Sequence, residues 1–441
     1  MYARLFQLFR NYYHQIRSSI AFVPALLALI FLFGVILIIQ LDFSKLGEWI
    51  LDRLPILELT DPTTARSILS TIIGGIISLT VFSFSLVMIM LNQAASSLTN
   101  RLLQGLVREK FHQVVMGIYI GTIVYTLVLL FQIREPTSDT IKIPSIAIFV
   151  AIILSVTDVF LFIYFLHYVT QSVKYSNIIQ KIYNQTQKAL NHKRQSWIYN
   201  ATFRQQVEEM EEGSWKVYPS IQSGYLQDLQ EEPIIALGKK HNIQVRMEQV
   251  YGAFIIKDTP LYAVRGTDRL EEAIQQQINY SMDFYWGENI DENALYGYRQ
   301  LSEIAMKALS PGINDPRTAI LCMHALGDLL EKKIHHTEQF VFKDEDGTPR
   351  LYLKPHTFQD IFSTVFHPIL NYGKGDSQIL ATFLEILGQL HILDGQRNEH
   401  RDFFLQHLDL LKTLIDQHIE NQITKTNLSE KMEQLRKHLQ G

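Results

Sequence analysis

The run Ser67–Asn100, SILSTIIGGIISLTVFSFSLVMIMLNQAASSLTN, contains no charged residue. A helix needs about 20 apolar residues to cross the hydrocarbon core of a bilayer, so this run has length to spare. It is not uniformly apolar. At about 100° per residue, Gly74, Gly75, Ser78, Ser85, Asn92 and Ser96 fall within about 60° of the direction of Thr71. Small and polar residues on one face of a membrane helix serve close helix packing or a wet surface, and both readings stand open. Phe82 and Ile89 share the face, so a pore lined by it has apolar constrictions that gate by dewetting.

Working outward, the chain of 441 residues divides sharply by charge. Residues 1–170 hold 11 Lys and Arg and 9 Asp and Glu, leaving 29 and 35 for residues 171–441. The second part therefore has a net charge of −6, which argues against a nucleic-acid surface. Cys322 is the only cysteine, so no intrachain disulfide and no zinc knuckle can form.

Four spans are expected, at about 18–41, 68–91, 114–133 and 143–169. Residues 1–17 place Arg4, Arg10 and Arg17 among aromatics and suit an interfacial segment. The first apolar run is too long for a cleaved signal peptide and reads as a retained span. In the loop 42–66, Leu46, Trp49, Ile50 and Leu54 space a short interfacial helix, and Asp61-Pro62 caps the second span. The segments at 1–17, 101–110 and after 170 are basic, whereas 42–66 and 134–142 are acidic or balanced. By the positive-inside rule both termini face the cytoplasm of a bacterial inner membrane, as do the soluble parts.

After the membrane domain (18–170), a helical linker is expected over 171–212. A small β domain follows over 213–266, with short runs separated by Gly224, Tyr251-Gly252, Asp258-Thr259-Pro260 and Gly266. Residues 267–441 read as a helical domain, whose last long helix spans Arg397–Lys437. The expected fold is thus an integral membrane protein, mainly α-helical, with four transmembrane helices, a small cytoplasmic β-barrel-like domain and C-terminal helices.

The sharpest local motif is Ala308-Leu309-Ser310-Pro311-Gly312-Ile313-Asn314-Asp315-Pro316-Arg317-Thr318-Ala319. Ser310-Pro311-Gly312 stops one helix, Asn314 or Asp315 caps the next, and Pro316 sits in its first turn. This is a well-specified corner. It is also a candidate pocket for an anionic ligand, because free amides at a helix start attract anions. Arg299, Glu303, Ser310, Asn314, Asp315 and Thr318 would line it. With Arg299-Gln300-Leu301 and Ile304-Ala305 upstream, the stretch resembles the signature of a bacterial family of predicted four-span membrane proteins, a domain of unknown function. Glu303 stands where that pattern has Asp. The resemblance implies four spans followed by a soluble part and implies no activity. The β segment, Ser223–Leu226 and Tyr251–Val264, is similar to the barrel-sandwich hybrid of lipoyl and biotinyl carriers. A helical insert, Glu231–Asn242, replaces their lysine-bearing hairpin, so the resemblance implies an adaptor rather than a carrier.

Asp158 lies near the middle of the fourth span, where a carboxylate is expensive and by default functional. Ser155, one turn earlier, is expected to hydrogen-bond it. A helix-gluing Asp and a conducting or proton-linked Asp are equally open. The histidines form no His-Glu-x-x-His or similar ligand set, and no phosphate loop, nucleophile elbow or dinucleotide fingerprint occurs. No metal, cofactor or enzymatic chemistry is therefore expected. The function read from these features is a homo-oligomeric channel or pore-like protein that conducts a small ion. Its candidate lining comprises Ser78, Ser85, Asn92, Ser96 and Asp158, and its cytoplasmic part gates or assembles it. The alternative is a membrane-anchored sensor or scaffold that binds a ligand or protein near Ser310–Thr318.

Overall fold

The computed structural model describes residues 21–97, 110–133, 143–172, 174–192, 197–199, 214–285, 290–291, 293–338, 340–395 and 399–440. The expected interfacial segment 1–17 and the basic loop 101–109 lie outside these residues. The chain forms two compact units, Met1–Lys174 and Tyr175–Gly441.

The first unit contains α1 (Phe22–Asp42), α2 (Lys45–Arg53), α3 (Pro62–Ser97), α4 (Lys110–Gln132) and α5 (Ser145–Ser172). All but α2 are long and apolar enough to cross a membrane. Asp61 caps α3 by accepting hydrogen bonds from the Thr63 and Thr64 amides at 3.1 and 3.0 Å. Its exposed carboxyl is held below the usual carboxylate range, first by the Thr64 hydroxyl and then by these amides. Ser44 caps α2, whose Leu46 and Trp49 remain exposed.

The helix around which the unit packs is α4, not α3. In α4, 44% of the most apolar stretch is buried, against 11% in α3. The cause is a Gly-x-x-x-Gly pair, Gly117 and Gly121, which lets α1 approach closely. A Cβ at Gly117 would stand 2.6 Å from the Leu27 side chain, and one at Gly121 2.7 Å from the Phe31 ring. On α3 the buried residues Ala65, Leu69, Ile72, Ile76, Ser83 and Met90 form the inward stripe.

One end of the bundle is tied by long-range hydrogen bonds. Buried Asp42, at the end of α1, accepts from the Ile146 and Ala147 amides of α5 at 3.0 and 2.8 Å. It thus satisfies donors that every helix start leaves open. Ser145 Oγ accepts from the Leu59 amide at 3.0 Å, and the Tyr125 hydroxyl donates to the Ala147 carbonyl at 3.0 Å.

The second unit begins with α6 (Tyr175–His192), which buries Ile178, Ile179, Ile182, Thr186 and Leu190. It packs on α9 (Leu295–Ala308) and α10 (Pro316–Glu331), so it belongs to a core instead of forming a free linker. Gly297 of α9 is required by this contact, because a Cβ there would overlap the Thr186 side chain. Strand β1 (Trp197–Tyr199) follows, and residues 200–213 lie outside the described set.

The sheets draw strands from well beyond residue 266. They comprise β2 (Lys216–Pro219), β3 (Gly224–Leu229), β4 (Gln244–Met247), β5 (Phe254–Ile255), β6 (Pro260–Arg265) and β7 (Met282–Tyr285). Later segments add β8 (His336–Glu338), β9 (Val341–Lys343) and β10 (Pro349–Tyr352). The larger sheet runs β2-β6-β4-β10-β9, the smaller β5-β3-β7, and β1 pairs with β8. The expectation of helix alone after 266 is therefore corrected. Gly347-Thr348-Pro349 leads through a hairpin turn into β10. Leu351 then pairs in parallel with Val245, a contact no local pattern discloses. Buried Asp344 accepts from Arg350 Nε at 2.7 Å and from the Thr348 amide at 2.9 Å, which locks this turn. Between β3 and β4 stands α7 (Glu231–His241), and its Lys239 is ion-paired with Glu345 at 2.9 Å.

The remaining helices are α8 (Glu272–Tyr280), α11 (Phe358–Gly373), α12 (Ser377–Asp394), α13 (Arg401–His418) and α14 (Gln422–Gln440). The single helix expected over Arg397–Lys437 is two, because the chain turns at Ile419–Asn421 and Asn421 accepts from the Thr424 amide at 3.1 Å. Phe358, Phe362, Phe366, Phe383, Phe403 and Phe404 build an aromatic core around His407. His407 Nδ1–H donates to the Phe403 carbonyl, so its Nε2 accepts from His367 Nε2–H at 3.0 Å.

Two outcomes follow from this packing. Asp42→Ala, which strands the α5 amides, should lower stability in detergent by about 1–2 kcal/mol. Asp42→Asn, which keeps an acceptor, should cost less, as read by thermal unfolding. The second concerns the histidine pair. Desolvation holds both His367 and His407 below the ordinary 6.5. Their neutral pairing thus contributes fully above 6.5 and is lost as pH falls through the lower folded values. Circular dichroism of the full chain should show a Tm that drops on acidification below pH 6.5, with a shallower drop in His407→Phe.

Candidate functional site

The polar stripe of α3 is largely exposed within the unit, and its margin borders α5, where Thr71 lines a groove with Ser155 and the Phe82 ring meets Phe162 edge-on at 5.8 Å. Thr71, Gly74, Gly75, Ser78, Ser85 and Asn92 are all exposed within the unit, together with Phe82 and Ile89. A Cβ at Gly74 or Gly75 meets nothing within 4 Å. At Gly74 and Gly75 the stripe therefore makes no close helix contact among the described residues, and close packing falls to Gly117 and Gly121. Its hydroxyls are satisfied on their own helix: Thr71 donates to the Ser67 carbonyl at 2.8 Å, Ser78 to Gly74 at 2.9 Å and Ser85 to Val81 at 2.9 Å. Back-bonding of this kind makes a polar face tolerable in an apolar medium. Ser96 belongs to the last turns of α3, and its side chain lies outside the described residues.

Asp158 does not join that face. It is fully buried on α5, among Ser83 of α3 and Tyr119 and Thr122 of α4, each also fully buried. The Asp158 carboxylate is turned toward the Thr122 hydroxyl. The Tyr119 hydroxyl is directed at Ser83 and lies in the field of Asp158. Among the described residues, none of these oxygens makes a well-formed hydrogen bond. The expected Ser155–Asp158 hydrogen bond is accordingly absent there. Ser155 instead lines a groove of about 390 Å³ between α3 and α5, with Ser67, Ile68, Thr71, Ile72, Ile152 and Val156.

Ser83, Tyr119 and Thr122 were not among the residues singled out from the sequence. One signal was available: Ser83 stands about 120° from Thr71, off the stripe and on the side of Leu69 and Ile76. That Tyr119 and Thr122 meet it depends on which spans adjoin.

The corner between α9 and α10 closes on itself. The Asp315 carboxylate accepts from the Thr318 amide at 3.2 Å and from the Thr318 hydroxyl at 2.6 Å. The Asp315 amide donates to the Ala308 carbonyl at 2.8 Å, the Asn314 amide to Ser310 at 2.9 Å, and the Ser310 hydroxyl to Lys307 at 2.6 Å. Asn314 adopts φ 50°, a left-handed conformation that Asn tolerates. These bonds form among Lys307 to Thr318, whereas Arg299 and Glu303 lie half-buried further back on α9. A carboxylate of the chain itself already occupies the helix start, so the geometry is that of a structural corner. Among the described residues, no group of three His, Cys, Asp or Glu side chains is placed to hold a metal. Asp315→Ala should lower the stability of the full chain by about 1 kcal/mol in denaturant titration. Asp315→Asn, still a good cap, should cost less.

Comparison with known proteins agrees with this architecture. The chain is similar to an uncharacterized protein of Mycobacterium bovis and to one of Mycobacterium tuberculosis, each 25% identical over 335 residues. These matches cover 74% of this chain and 63% of the relatives, so the chain spans less than two thirds of their length. No solved structure matches the chain. The family described as "Predicted membrane protein (DUF2254)" matches residues 17–389, which include the four spans, the sheets and the Ser310–Asp315 corner. The chain belongs to this family of predicted membrane proteins.

Proposed function

We propose that the protein is a homo-oligomeric channel of a bacterial inner membrane, in which α3 faces of several copies line the path of a small ion. One observation carries the reading: the small and polar face of an otherwise apolar helix is left largely exposed among the described residues. Four spans enclose no transport path of their own, so a conducting route needs several copies. Ser78, Ser85 and Asn92 supply the polar lining, and Phe82 and Ile89 supply rings that close by dewetting. In the same proposal, the charge pattern of the flanks sets both termini and the second unit in the cytoplasm, where that unit serves assembly and gating. No enzymatic chemistry is assigned.

The test is ion flux through liposomes containing the purified chain. Ser85→Leu narrows and dries the path and should lower flux at least about tenfold, equivalent to a barrier about 1.4 kcal/mol higher. Phe33→Leu, on the exposed face of α1, should leave flux unchanged. A single-chain mass in mild detergent, or equal flux in wild type and Ser85→Leu, would sink the channel reading.

A further inference from the structure

The Asp158 cluster lies apart from the α3 face and calls for its own account. It places a carboxylate and the hydroxyls of Ser83, Tyr119 and Thr122 where α3, α4 and α5 meet, all fully buried. Among the described residues, no basic side chain hydrogen-bonds to Asp158. An ionised carboxylate without a counter-charge is very costly in an apolar interior. Two things relieve that cost: a proton on the carboxyl, or a cation beside it.

The unmade hydrogen bonds of these oxygens separate the two. A protonated carboxyl is a donor and needs an acceptor within about 2.5–3.0 Å. Neither Asp158 oxygen makes such a hydrogen bond. A cation asks for the opposite. A sodium- or calcium-sized ion takes several oxygen ligands, each with a lone pair free to point at it. Asp158, Thr122, Tyr119 and Ser83 bring five such oxygens together, none with a hydrogen-bond partner among the described residues. The donors are all oxygen, which selects a hard ion. The single carboxylate supplies one negative charge, so a monovalent ion leaves the site neutral.

We propose that Asp158, Thr122 and Tyr119, with Ser83 behind Tyr119, form a binding site for one sodium-sized monovalent cation inside each four-helix unit. The Asp158 oxygens and the Thr122 and Tyr119 hydroxyls are the ligands. On ion binding the Tyr119 hydroxyl donates to Ser83 and so turns a lone pair to the ion. The wall of the α3–α5 groove carries Ser155, one turn of α5 from Asp158.

The test is thermal unfolding of the full chain in detergent, with sodium chloride titrated against choline chloride at constant ionic strength. Sodium should raise the Tm by about 5 °C or more near saturation, and Asp158→Asn should abolish the rise. Thr122→Val and Tyr119→Phe keep the packing volume and should each shift the sodium midpoint at least about tenfold upward. These two variants decide the matter if Asp158→Asn does not fold. A Tm indifferent to sodium, or a midpoint unmoved in both conservative variants, would overturn the proposal. Stabilisation by lowered pH with no sodium effect would overturn it in favour of a proton on Asp158. Because the readout is equilibrium binding, it stands or falls independently of conduction along α3.

Discussion

In the hydrocarbon core there is no water to satisfy a polar group, so every donor and acceptor must be met within the protein. The first unit shows how far that constraint reaches. The Asp42 carboxylate leaves its own helix to cap α5, at 3.0 and 2.8 Å from the Ile146 and Ala147 amides. The Tyr125 hydroxyl takes the Ala147 carbonyl from a third helix. With these bonds made, α1, α4 and α5 are held together at one end, and the close α1–α4 approach at Gly117 and Gly121 follows along the shared seam.

The same constraint gives meaning to the two polar features inside the spans. On α3 the Thr71, Ser78 and Ser85 hydroxyls return their protons to their own helix, so this part of the face is self-sufficient and remains free for another surface. In the interior the oxygens of Ser83, Tyr119, Thr122 and Asp158 have no such return among the described residues. A polar face with its hydrogen bonds made and a buried cluster without them are physically different objects. One suits an interface or a path, and the other suits a bound ion.

The second unit is closed differently. Its local stops are closed by short side chains: Asp315 on Thr318, Thr357 with Asp360, and Asp376 on the Gln378 and Ile379 amides. Its sheets are closed over long distance. Strand β10 reaches β4 across more than a hundred residues, and the buried Asp344–Arg350 pair holds the turn that delivers it.

Residue patterns alone determined the broad architecture. Uninterrupted apolar runs are long enough to span by length alone, and capping residues such as Asp61, Asp315 and Thr357 act within four residues of themselves. Both are local facts, so the four membrane helices and most later helix boundaries are legible in the chain. The direction of the α3 stripe is equally local, since it depends only on 3.6 residues per turn. What covers that stripe is not local. Only the packing of α4 against α1, through glycines that carry no hydropathy signal, decided that α4 is central and that the stripe stays largely exposed. Likewise Asp158 was visible as an expensive carboxylate, but its companions were not. Tyr119 and Thr122 look like ordinary residues of an apolar helix until the tertiary structure turns them, with Ser83, onto the same buried point.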